Sequence, residues 1–150
     1  VFEIIDQSTL INIEIKHEAT SFVHWQTEKK LLALIEEYKM QNQVVISCFN
    51  PMVVNRIRKL APGISTAYLI TQSLNPLLIF LLAKINAQSV HVDFKYLNAK
   101  NVTRMKAAGL KVMTYTLNSA QEYETALSLG VDGILSDHPD QLKQYLAKVS

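Results

Sequence analysis

The strictest constraint on this chain is the rhythm of its strand and helix signals. From the second strand candidate onward, strand starts recur about every 22 residues, and each candidate is followed by a helical segment. That is the pace of minimal βα units, in which a parallel strand is reached through a right-handed crossover. The six candidates are Ile11 to Lys16, Val44 to Cys48, Thr66 to Ile70, Ser89 to Phe94, Lys111 to Leu117 and Ile134 to Ser136. No linker or low-complexity stretch interrupts them, so residues 1–150 read as a single domain, long enough to bury a core.

Helix boundaries are written in the same places. Asn50 before Pro51 offers an N-cap with proline at the first helical position, and Asn75 before Pro76 repeats it. Ala61-Pro62-Gly63, Gly109 and Gly130 are stop signals, and Ser119 is a cap. Leu31, Leu32, Ile35 and Tyr38 recur at helical spacing and predict a helix over about Glu28 to Met40, after a polar loop holding His17, Glu18 and His24. The apolar run from Pro76 to Ile85, interrupted by Lys84, is too short to span a bilayer and predicts a buried helix.

A βα succession without a Gly-rich phosphate loop fits either an open parallel sheet or part of a (βα)₈ barrel. Glu14, Lys16, Ser47, Phe49, Asp93, Tyr115, Asn118 and Asp137 all fall at or just beyond the carboxyl ends of predicted strands. Barrel enzymes assemble their sites there, although a doubly wound sheet uses the same edge.

The first strand is the most informative chemically. Strict alternation places Ile11, Ile13 and Ile15 on one face and Asn12, Glu14 and Lys16 on the other. A half-exposed strand would read the same way. In a βα chain, however, strands are usually covered on both faces, so an acid and a base side by side would face an enclosed volume and need partners, a metal or a ligand.

Charge excludes some partners. Fifteen basic and thirteen acidic residues leave +2, which gives no electrostatic reason to expect nucleic acid or an acidic membrane. Arg56, Arg58 and Lys59 read as a solvated helix face. Cys48 is the only cysteine, so no intramolecular disulfide and no multi-cysteine metal site can form. The chain has no signal peptide at its start and opens Val1-Phe2-Glu3-Ile4-Ile5, an amphipathic pattern already under way, which predicts a processed or truncated product.

Four motifs then occur in order: Asn-Ile-Glu-Ile-Lys at Asn12 to Lys16, Ile-Ser-Cys-Phe-Asn at Ile46 to Asn50, Thr-Tyr-Thr-Leu-Asn at Thr114 to Asn118, and Gly-Val-Asp-Gly-Ile-Leu-Ser-Asp-His-Pro at Gly130 to Pro139. Together they resemble the later part of the glycerophosphodiester phosphodiesterase family, over about Leu10 to Gln141. The resemblance implies a (βα)₈ TIM barrel of the phospholipase-C-like type, represented here by about six βα units as a partial domain. It implies that Glu14 is a ligand of a divalent cation, Ca²⁺ or Mg²⁺, and that the catalytic Lys16 lies beside the scissile phosphate. Both roles suit the residue types, since hard cations take carboxylate oxygens and an ammonium stabilises charge developing on phosphate. Phe49 would line the glycerol side of the pocket. Cys48 stands where the family has serine, and Tyr115 stands where it usually has tryptophan, which keeps a flat wall but adds a hydroxyl to the substrate surface. Gly130, Asp132, Gly133 and Asp137 are expected to shape the last strand and its turns.

The resemblance also implies segments that this sequence does not contain: a His-Arg-Gly, and a Glu-x-Asp followed by His-Asp, which carry the two acid–base histidines and the other metal carboxylates. The four histidines present, His17, His24, His91 and His138, do not replace them; His91 reads either as a hydrogen-bonded inward residue or as a substrate contact. The expectation is the carboxyl-terminal six units of an enzyme that hydrolyses a glycerophosphodiester to sn-glycerol 3-phosphate and an alcohol, with negligible activity in this chain alone. The upstream part of the barrel would belong to the parent protein, cytoplasmic or membrane-attached through such a segment. Six units leave unpaired strand edges that would attract a second copy. Two other readings remain: a related phosphodiesterase acting on a lipid headgroup, and a non-catalytic half-barrel that binds a partner.

Overall fold

The computed structural model of the chain describes residues 2–5, 9–16, 24–84 and 87–149. Strands and helices alternate along it as the rhythm predicts. The chain falls into two compact units, Val1–Leu69 with Ile85–Gln88, and Ile70–Lys84 with Ser89–Ser150.

In the first unit, β1 (Ile11–Glu14) runs parallel to β2 (Val44–Cys48), and β2 parallel to β3 (Ser65–Ile70). The register sets Glu14 opposite Ser47 and Ser47 opposite Ala67. Val44, Ile46, Cys48, Ala67 and Leu69 are buried, as expected for parallel strands covered on both faces. Helices α1 (His24–Glu37) and α2 (Pro51–Leu60) add Ile35, Val53, Val54 and Ile57 to this core. The Asn50 carboxamide oxygen accepts from the Met52 amide at 2.9 Å, so the predicted cap is present.

Two expectations change here. The first helix begins at His24 instead of Glu28 and ends at Glu37, with Lys39 at φ 55° turning the chain, so His24 belongs to the helix and not to the loop. Arg56 is half-buried and paired, not part of a purely solvated face. Its Nε donates to Glu28 Oε2 at 2.6 Å and its Nη2 to Oε1 at 2.5 Å, and Glu28 is 1 % exposed. A carboxylate at that depth requires a bidentate partner, and a linear scan of charge cannot see that the two helices bring one. His17 and Glu18 lie outside the described residues.

The second unit contains α3 (Pro76–Lys84), β4 (Ser89–Asp93), a 3₁₀ turn at Phe94–Tyr96, α4 (Ala99–Ala107), β5 (Lys111–Tyr115), α5 (Ala120–Ser128), β6 (Gly133–Ile134) and α6 (Pro139–Val149). β4 pairs in parallel with β5, and β5 with β6. Leu117, Tyr123 and Ala126 form one cluster of its core, with Phe94, Val131, Ile134, Leu142 and Tyr145 packed around them. Ser119 and Glu122 make a reciprocal capping box at the start of α5. Gly109 at φ 81° and Gly130 at φ 73° close α4 and α5 in the left-handed region.

Two further corrections belong to this unit. β6 is Gly133–Ile134 instead of Ile134 to Ser136: the Leu135 backbone still bonds Thr114 and Leu117, and beyond it the Asp137 amide donates to the Asn118 side chain instead of to a strand. The helix from Pro76 is not buried throughout: Ile79 and Leu82 are, but Leu77, Phe80 and Leu81 are exposed. An apolar run has no period that marks one face as outward, so the sequence could not assign it. Among the described residues, no helix is long and apolar enough to cross a membrane.

Candidate active-site residues

Glu14 ends β1 and Lys16 follows two residues later, on the same side of an extended backbone. The ammonium nitrogen of Lys16 lies 2.8 Å from Glu14 Oε1. The pair therefore forms as the alternation predicts, although not in an enclosed volume: the Lys16 side chain is 83 % exposed and that of Glu14 30 %. Oε1 itself is shielded from solvent and takes no hydrogen bond; the contact with Lys16 is an ion pair without hydrogen-bond geometry. Beside it on β2, in register, Ser47 is fully buried and its Oγ has no hydrogen-bond partner. Two shielded oxygens without hydrogen bonds on neighbouring strands are unusual, because such groups are normally satisfied.

Phe49 lies just past β2 and is 41 % exposed, available to a ligand instead of packed in the core. Cys48, one residue earlier, points the other way. It is buried, its Sγ accepts from the Asn50 amide at 3.4 Å, and burial pushes its thiol pKa up, so it is a core residue beside the α2 cap.

Tyr115 belongs to the second unit, at the end of β5. Its hydroxyl donates to the Ile70 carbonyl at 3.1 Å, so the group that distinguishes it from tryptophan is engaged within its own unit. On the same face, Asp93 lies opposite Tyr115 and His91 opposite Met113. Asp93 accepts from the Lys95 amide and pairs with the Lys95 ammonium at 2.9 Å, which makes it a turn cap. His91 is 4 % exposed and its Nδ1 has no partner; burial lowers its pKa to about 4, so it is neutral at pH 7. The hydrogen-bonded alternative for His91 is thus not realised at Nδ1.

The motif residues at the far end of the chain have closed bonding. Asn118 Nδ2 donates to Asp137 Oδ2 at 2.9 Å, and Asn118 Oδ1 accepts from the Asp137 amide and from Ser136 Oγ. Asp132 accepts from the Val112 amide at 2.8 Å and pairs with Lys106 at 3.3 Å. A Cβ at Gly133 would overlap the Met113 side chain. The expected structural role of Asp132, Gly133 and Asp137 is what these contacts provide.

Glu14 offers a shielded carboxylate oxygen, which suits a hard ion, but the described residues contain no group of three His, Cys, Asp or Glu side chains that could hold one. The chain's described residues fit one ligand of a cation and not a complete site. The sequence named Glu14, Lys16, Phe49 and Tyr115; the bonding vacancies at Ser47 and His91 had only a faint signal, a hydroxyl and an imidazole within otherwise apolar strands.

The chain matches the model of the glycerophosphoryl diester phosphodiesterase family over residues 1–141. It is 31 % identical over 150 residues to a glycerophosphodiester phosphodiesterase of Caldanaerobacter subterraneus subsp. tengcongensis, covering 99 % of this chain and 60 % of that protein. It superposes on a solved structure of a putative glycerophosphodiester phosphodiesterase from Galdieria sulphuraria with a TM-score of 0.82 at 25 % identity, covering 92 % of this chain and 57 % of the other. It also resembles an Oleispira antarctica phosphodiesterase solved with the product sn-glycerol-3-phosphate, with a TM-score of 0.74 at 20 % identity over 92 % of this chain and 55 % of that one. The chain thus spans 55–60 % of the length of these three proteins. The likeness shows the α/β barrel type that the resemblance implies, one of the two architectures that the βα rhythm allows, here as six units.

Proposed function

Because this chain belongs to the glycerophosphoryl diester phosphodiesterase family, we propose that it carries the phosphate-facing part of an enzyme that hydrolyses glycerophosphodiesters. Water would add to phosphorus, the bond to the alcohol oxygen would break, and sn-glycerol 3-phosphate and the free alcohol would leave. The observation that carries this reading is the pairing of Glu14 with Lys16 at 2.8 Å, where a shielded carboxylate oxygen faces only an ammonium. A divalent cation, Ca²⁺ or Mg²⁺, would bring positive charge to the phosphate oxygens, with Glu14 as one of its ligands. Lys16, exposed and paired among the described residues with Glu14, can turn its ammonium to a phosphate oxygen and stabilise charge as it develops. Phe49 would pack against the glycerol carbons; Tyr115 belongs to the other unit, where its hydroxyl is held by the Ile70 carbonyl.

One carboxylate and one ammonium position and polarise a diester but do not move protons, so the 150-residue chain by itself is expected to turn over glycerophosphocholine no faster than buffer. Binding separates this from a wrong assignment. Titrating sn-glycerol 3-phosphate with Ca²⁺ into isotopically labelled chain should move the amide resonances of Glu14, Lys16 and Phe49. Lys16→Met should weaken the interaction about tenfold, the worth of one charged hydrogen bond. A spectrum that does not respond would remove the phosphate-site reading, and metal-dependent turnover matching that of an intact relative would remove the expectation of inactivity.

A further inference from the structure

The outward face of α3 is apolar and uncovered. Leu77 is 66 % exposed, Phe80 57 % and Leu81 49 %, at positions i, i+3 and i+4, while Ile79 and Leu82 face the core. The nine-residue helix is therefore apolar all round, a composition that belongs to a helix buried on every side. Lys84 continues the ridge one turn on, its ammonium 5.3 Å from the centre of the Phe80 ring. Helix α4 packs beside α3 in the same unit and contributes exposed Lys100 and Lys106 with half-buried Arg104. Neither helix contains an aspartate or glutamate. Lys106 pairs with Asp132; Lys84, Lys100 and Arg104 have no carboxylate partner among the described residues.

We propose that the α3 ridge and its α4 flank form a docking surface for an anionic lipid bilayer. The whole-chain charge of +2 conceals this because the acidic residues lie on other elements. Charge decides between occupants. In an isologous dimer the same patch faces itself, which would bring Lys84, Lys100 and Arg104 of both copies together; an anionic headgroup layer instead complements them. Shape decides as well. Side chains about half exposed or more stand out from the surface as a ridge, which can enter the acyl boundary while lysine stems reach back to the headgroups, whereas a peptide ligand needs a groove. Three apolar residues and three free cations suit reversible attachment, not insertion.

The test uses flotation of the purified 150-residue chain with vesicles of phosphatidylcholine alone or rich in phosphatidylglycerol, at low and high salt. Binding is expected to the anionic vesicles only and to fall as salt rises. Leu77→Ser with Phe80→Ser should lower the affinity about tenfold or more, and Lys100→Glu about fivefold, without lowering the melting temperature, since these side chains are exposed. Phe80→Trp keeps the ridge apolar, and its added emission should shift to the blue on anionic vesicles. Failure of the wild-type chain to float overturns the proposal. So does flotation that ignores the ridge variants, or a Phe80→Trp signal that stays unshifted on floating protein. A concentration-dependent dimer that Leu77→Ser with Phe80→Ser dissolves, without vesicle binding, would assign the ridge to a second copy instead. None of these readouts depends on the diesterase reading, because the vesicles contain no glycerophosphodiester.

Discussion

The carboxyl ends of two strand pairs, β1 with β2 and β5 with β6, carry family motifs of similar strength and yet differ in hydrogen bonding. At the first, Glu14 Oε1 and Ser47 Oγ are shielded and have no hydrogen bond. At the second, Asn118, Ser136 and Asp137 satisfy one another, and Glu122 holds the Asn118 and Ser119 amides. Glu122 is held below the usual carboxylate range by those donors, the Asn118 amide first. Hydrogen-bond vacancy therefore separates the end at which a ligand is proposed from one whose polar groups hold the chain together. Motif matching treats the two alike.

The comparison can be broken most strongly at Glu28, the carboxylate of the first unit that does have a full partner. Arg56→Ala would leave a buried anion unpaired and should lower stability by about 3 kcal/mol, read from the urea midpoint. A loss below about 1 kcal/mol would mean that shielded carboxylates are tolerated here, and Glu14 would cease to be exceptional.

His91 tests the vacancy in the second unit through pH. Its folded pKa, about 4, lies below the unfolded value of about 6.5, so between those values only the unfolded chain binds the proton. Stability should fall as pH falls through that window, by roughly 3 kcal/mol in all, and His91→Gln should remove that part of the slope. An unchanged slope in the variant would contradict burial as the dominant influence on the imidazole.

Asn118→Ala removes donors and acceptors from three partners and should destabilise by about 1–2 kcal/mol in chemical denaturation, mainly by loosening the turn before α5. Ser47→Ala is the opposite case. It deletes an oxygen that bonds nothing, so the melting temperature should stay level or rise slightly. If Ser47→Ala lost as much as Asn118→Ala, Ser47 would have a structural partner and the contrast between the two ends would fail.

Much of the fold was legible because its signals are local. Asn50 with Pro51, Ser119 with Glu122, and the glycines at 109 and 130 act on backbone groups within a few residues, so they can be read from the chain directly. The same holds for Glu14 and Lys16, since strand alternation alone sets them on one side. Glu28 with Arg56 was not legible, because two helices 28 positions apart in sequence had to pack before either charge had a partner. Nor was the end of β6, where the Asp137 amide finds its acceptor in Asn118, 19 positions away in sequence.

The βα order, the caps and the acid and base at the end of β1 follow from the chain alone, since each depends on the backbone's own period and on neighbours within a turn. Which polar atoms remain without hydrogen bonds, and which face of α3 stays uncovered, depends on packing. Burial and satisfaction are properties of what else arrives at a position, and residues distant in sequence supply it.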